Sequence, residues 1–145
     1  MEHNKLDITK VVKYLKQVEE AKNEAIKATY DLAEQRTTSK KLIAAYQQIF
    51  GSKNNSNDMI ATDLIKLEEL KHELELKRNN WKQKREEIKN FIETLNLSSR
   101  EKTILNLKYV CNKNSTEIGI ALGISARHIN RTHSTVLEKI SKLYR

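Results

Sequence analysis

Residues 115–136 read STEIGIALGISARHINRTHSTV, and their spacing is that of a helix-turn-helix. Ile118, Leu122, Ile124 and Ile129 are apolar where two short crossed helices must bury side chains against each other. Gly119 is small where the two backbones approach closest, and Gly123 can take a positive φ at the turn without strain. Ser125 suits an N-cap, its oxygen accepting backbone N–H groups at the start of a second helix. That second helix carries Ala126, Arg127, His128, Asn130, Arg131 and His133 on its exposed sides. Arginine and asparagine are side chains that pair with base edges, and few acids lie nearby to neutralise them. A plain pair of amphipathic helices would need neither feature.

Outward from this stretch, charge and periodicity agree. Residues 97–145 hold nine Lys and Arg against three Glu, so they carry +6 of the chain's net +8. A basic segment of this kind is the electrostatic footprint of a polyanion binder. Upstream, REKTILNLKYV reads as a helix capped by Ser98 or Ser99, with Glu101 in its first turn. Ile104, Leu105, Leu107, Tyr109 and Val110 supply a face for the helix-turn-helix, and Val136, Leu137, Ile140 and Leu143 close the core. A domain of this size sits near the lower limit for independent folding, so support from the preceding helices is expected.

Residues 1–96 read as a long helical hairpin. Val11, Tyr14, Val18, Ala21, Ala25, Ala28 and Leu32 fall on a three–four repeat, continued by Gln35, Ser39, Leu42, Tyr46 and Ile49. This predicts one helix from about residue 5 to 50, with a weak point at Thr37-Thr38-Ser39, where hydroxyl side chains compete with the backbone. Gly51 to Asp58 is a loop, in which Gly51 can end the first helix and Asp58 can cap the next. The second helix, Met59 to Leu95, has one apolar position throughout: Ile60, Leu67, Leu74, Trp81, Ile88 and Leu95. Its alternate seam position is basic at Lys71, Arg78 and Arg85. Either these stems lie along the seam with their heads in solvent, the favoured reading, or they face Glu19, Glu20 or Glu34. A two-helix hairpin buries little alone, so a homodimer through it is expected, pairing two reading heads.

Three Gly, no Pro and 32% charged residues make a helical composition, and an all-α fold is expected. Cys111 is the only cysteine, which excludes an internal disulfide and suits a cytoplasmic setting; a packed thiol is the simpler reading. No apolar run approaches the roughly 18 residues of a membrane span, and MEHNKLDITK is unlike a secretory signal. There is no Gly-rich phosphate loop and no nucleophile placed with a base. His128 and His133 lie five apart on one helix without a completing ligand. No enzyme, metal or cofactor is expected.

The run LSSREKTILNLKYVCNKNSTEIGIALGISARHINRTHSTVLEKISKL, residues 97–143, resembles region 4 of bacterial sigma factors. The matching features are Arg100-Glu101, the ILNLKY helix, Glu117-Ile118, LGIS and the closing VLEKISKL. The arrangement is also similar to small phage- and prophage-encoded regulators of Gram-positive bacteria, whose reading helix ends in a pattern like Arg131-Thr132-His133. LuxR-type helix-turn-helix domains are similar too, but LKY and the closing helix fit the sigma pattern better. Gly119 stands where alanine is usual, at a position expected only to need a small residue. The other sigma regions have no room in 145 residues, so a full housekeeping-type sigma factor is not expected.

The resemblance implies a DNA-binding transcriptional regulator of phage or prophage genes, reading double-stranded DNA in the major groove with the helix that starts at Ser125. By position, Arg127, His128, Asn130 and Arg131 are base-edge candidates, while Ser115, Thr116, Ser125 and Lys113 would hold phosphates. His133 would reach phosphate or cap the domain edge. Residues 1–96 would form the dimerising or partner-binding hairpin and residues 97–145 the reading domain. The rival reading is a protein-interaction module that binds RNA polymerase or another regulator without reading DNA. Recognition of single-stranded RNA lacks the exposed aromatic residues that it needs.

Overall fold

A computed structural model describes the backbone of residues 2–50 and 57–143, and the side chains of residues 7–49 and 61–143. Regular structure among the described residues is all helical: α1 Glu2–Leu15, α2 Gln17–Phe50, α3 Asn57–Thr94, α4 Ser99–Leu105, a π-helical turn Asn106–Val110, α5 Ser115–Leu122 and α6 Ala126–Leu143. The chain divides into two compact units, Ala21–Trp81 and a second one made of Met1–Glu20 with Lys82–Arg145. None of the described helices is long and apolar enough to cross a membrane.

In the unit Ala21–Trp81, the three–four repeat does what it predicts as far as Ser39. Ala21, Ala25, Ala28, Leu32 and Ser39 are buried. Ala28 and Leu32 of α2 pack on Leu74 of α3, with Leu67 and Leu70 at the margin. Lys77 pairs with Glu24 across the same two helices at 3.2 Å. Beyond Ser39 the seam opens, and Leu42 and Ile49 are exposed. The weak point at Thr37-Thr38-Ser39 is no break, because the hydroxyls bond within the helix. Thr37 Oγ1 donates to the Ala33 carbonyl at 3.0 Å, and Gln35 Nε2 donates to Ser39 Oγ at 3.1 Å. Lys71 and Arg78 are exposed, and Lys71 pairs with Glu68 one turn back on its own helix at 3.4 Å. Their heads therefore lie in solvent. Because α3 begins at Asn57, Asp58 falls in its first turn rather than at its cap; Gly51 lies outside the described residues.

The other unit joins the N-terminal helix to the C-terminal ones. The boundary between α1 and α2 is a local irregularity at Lys16, since helical hydrogen bonds continue through it: Lys16 N–H to Val12 O at 2.9 Å and Glu20 N–H to Lys16 O at 3.1 Å. α1 lies along α6, and Leu15 and Val18 are fully buried. Tyr14 sets its ring edge-on to Phe91, centroids 4.9 Å apart, and donates to Glu87 Oε1 at 3.4 Å. Ile88, Ile92 and Leu95 bury the last turns of α3, and Arg85 beside them is exposed.

The helix-turn-helix has its own small core. Ile104, Ile118 and Ile129 are fully buried against one another, with Leu107, Leu122 and Ile124 around them. Each such side chain contributes about 2–3 kcal/mol. Ser98 caps α4 through a full capping box with Glu101. The helix then takes one wide turn, Cys111 N–H bonding the Asn106 carbonyl five residues back at 3.0 Å, which leaves both Tyr109 and Val110 buried. Cys111 itself is exposed, not packed, because it follows that turn on the outside. Val136, Leu137 and Ile140 close the core, but Leu143 does not: it is 60% exposed at the end of α6. The second helix of the helix-turn-helix and the closing segment are one continuous helix of 18 residues.

Candidate nucleic-acid interface

Two caps and one turn set the geometry. Asn114 is the N-cap of α5: its side chain accepts the Glu117 N–H at 2.8 Å, and Glu117 Oε1 accepts the Asn114 N–H at 3.3 Å. The spacing Asn-x-x-Glu carries this signal in the sequence. Gly123 ends α5 in the left-handed region, with φ 69° and ψ 34°. Ser125 then caps α6, its Oγ accepting the His128 N–H at 3.1 Å. At Gly119 the two helices touch so closely that a Cβ would lie 2.5 Å from the Ile124 carbonyl oxygen.

This turn presents the first half of α6 to solvent. Arg127, His128, Asn130 and Arg131 are exposed, while Ile129 on the opposite side is fully buried. Arg127 and Arg131 are four residues apart and so share one face. The side chains of Arg127, His128 and Arg131 make no hydrogen bond or ion pair with described residues. Asn130 is different. Its Oδ1 accepts the Ser115 hydroxyl of α5, which fixes the amide and leaves Nδ2 as the outward donor. Ser115 is accordingly half-buried and engaged, Thr116 beside it is exposed, and Lys113 is exposed with its ammonium 3.7 Å from Glu117.

His133 does not reach outward. Its Nε2 lies 2.6 Å from Tyr109 Oη, and the two rings are 5.6 Å apart between centroids. Burial pushes the Tyr109 phenol up to about 12, with Glu19 adding to the effect. Burial holds the imidazole down at about 4, and the Lys108 charge adds to that. Both groups are therefore neutral near pH 7, so the phenol donates to Nε2 and the ring proton sits on Nδ1. On the other side of α6, Lys139 donates to Glu101 Oε2 at 2.9 Å, which is the chief cause that keeps this carboxyl below its ordinary value. Sequence reasoning missed both ties, since neither has a fixed spacing.

An exposed basic and amide face on a capped helix can form bidentate bonds with purine edges, and hydroxyls with lysine at its flank can hold phosphate oxygens. Residues 95–142 match the family model for Sigma-70, region 4, a DNA-binding helix-turn-helix domain; residues 1–94 lie outside the match. No curated protein and no solved structure matches the chain.

Proposed function

We propose that this chain is a sequence-specific regulator of transcription that reads double-stranded DNA in the major groove with the first half of α6. The observation that carries this reading is the exposed set Arg127, His128 and Arg131, unengaged by described residues, on a helix set by a Gly123 turn. The match of residues 95–142 to a DNA-binding domain supports it. In this reading α2 and α3 form an antiparallel hairpin through which two copies pair, and the exposed Leu64 and Ile65 of α3 supply apolar surface for that contact. The setting in phage or prophage genes rests on the resemblance described above, and a DNA target places the protein in the bacterial cytoplasm.

A second reading has one observation in its favour. Sigma region 4 domains bind RNA polymerase as well as DNA, so the match of residues 95–142 also suits contact with that protein. The two readings separate by selecting bound duplexes from a random pool at near-physiological salt. Wild-type protein is expected to enrich a two-part motif with fixed spacing. Arg127→Ala and Arg131→Ala are expected to lose about 10- to 100-fold in preference each, as one bidentate base contact is worth about 1–3 kcal/mol. A single enriched half-site would remove the dimer. Weak binding without enrichment would remove DNA reading and leave the interaction module.

A further inference from the structure

Lys16, Lys108 and Lys113 converge on one cavity of about 350 Å³, whose wall also includes Glu19, Tyr109, Asn112, Asn114 and Ser115. These residues come from distant parts of the sequence. Lys16 stands at the junction of α1 and α2, Lys108 in the π-helical turn, and Lys113 just before α5. The convergence is unfavourable for the protein alone. Lys108 is half-buried, and its ammonium is held below the ordinary lysine value, first by burial and then by the charge of Lys16. The Lys16 and Lys108 side chains have no hydrogen bond or ion pair with described residues, whereas Lys113 shares its charge with Glu117. Glu19 is the acid in the wall and Glu117 already pairs with Lys113, so Lys16 and Lys108 share the cavity with a single further carboxylate.

The cavity also adjoins the reading surface. Ser115 lines it and donates to Asn130 on the exposed face of α6. A group seated there lies one side-chain pair away from the base-edge candidates.

We infer that Lys16, Lys108 and Lys113 form a cradle for a backbone phosphate of the DNA, so that the N-terminal helices contribute a charge to the C-terminal reading surface. This rests on the DNA-reading proposal above and adds two residues to its phosphate candidates: Lys16, outside the region 4 match, and Lys108, inside it. A phosphodiester oxygen here removes the repulsion between the two lysines and exchanges condensed counterions for fixed ammonium groups.

The test is the salt dependence of binding. The full chain and its Lys16→Gln, Lys108→Gln and doubly substituted forms are titrated onto a selected duplex and a scrambled one, between about 50 and 200 mM salt. Each substitution is expected to weaken both duplexes by the same factor and to reduce the slope of log K against log salt by about 0.9. An unchanged slope for Lys16→Gln would overturn the cradle. So would a loss confined to the selected duplex, because a phosphate contact carries no sequence information. Thermal melts check that each variant folds; should Lys108→Gln unfold, the exposed Lys16 position decides. A wild-type chain that binds no duplex brings down DNA reading and the cradle together, whereas wild-type binding with unaltered variants removes the cradle alone.

Discussion

At Gly119, two effects of known size oppose each other. Alanine is the better helix former by about 1 kcal/mol. Its methyl group, however, would stand 2.5 Å from the Ile124 carbonyl oxygen, a backbone atom of the turn that cannot swing aside. The Ile124 N–H is itself bonded to the Gly119 carbonyl at 2.9 Å, so the same contact is held from both sides. Overlap of this kind forces α5 and α6 apart and typically costs 1–3 kcal/mol. The position therefore needs glycine, not merely a small residue as the family comparison implied. Net of the propensity gain, Gly119→Ala is expected to lower stability by about 1 kcal/mol in urea denaturation with an unchanged slope. Equal or greater stability would mean that the turn yields freely. Glycine at this position was legible in the sequence; the distance that makes it obligatory was not.

Among the elements, the π-helical turn and α6 are joined by Tyr109 and His133, and this join depends on pH. His133 titrates at about 6.5 when unfolded and about 4 when folded. Its folded pKa is depressed, so its contribution is present above about 6.5 and is lost as pH falls toward 4. Between pH 7 and 5 the expected loss is about 1 kcal/mol, reduced from the full shift because the ring keeps part of its solvent contact. Urea denaturation of wild type and His133→Gln across this range measures it, since glutamine keeps an acceptor for the phenol and removes the titration. Parallel curves for the two proteins would sink the idea. Glu101 acts in a different window: its carboxyl lies below 4.5, so the Lys139 tie between α4 and α6 weakens only at lower pH. The capping boxes at Ser98 and Asn114 both follow from spacing; a cap at Ser98 or Ser99 was expected, and none at Asn114. A tyrosine and a histidine that meet 24 residues apart leave no trace in local periodicity.

At the scale of the molecule, the compact unit that carries the helix-turn-helix includes residues from both ends of the chain. α1 lies along α6, and it brings the fully buried Leu15 and the half-buried Val11 and Tyr14. Burying Leu15 alone is worth about 2–3 kcal/mol. A fragment of about 50 residues has little stability to spare. Residues 95–145 expressed alone are therefore expected to be largely unfolded at 25 °C, while the full chain is helical and melts cooperatively. Far-UV circular dichroism decides this, and a fragment that melts at the temperature of the full chain would show that α1 contributes nothing. The need for outside support was readable from domain size, but not that α1 supplies it. Likewise, Leu143 has the right period for the core yet lies past its end, and Leu42 and Ile49 keep the seam's phase yet are exposed.

By itself the sequence determined the helical class, a serine cap at 98 or 99, the cap at Ser125, the left-handed turn at Gly123, and the exposure of Arg127, His128, Asn130 and Arg131. Each depends on residues within one or two helical turns, where steric and hydrogen-bonding preferences act directly. Only the tertiary structure decided that Asn130 holds Ser115, that His133 turns inward to Tyr109, that Cys111 is exposed, and that Lys16 meets Lys108. Those outcomes depend on how separate helices pack, and packing is settled by shape and burial summed over the whole unit rather than by any local pattern.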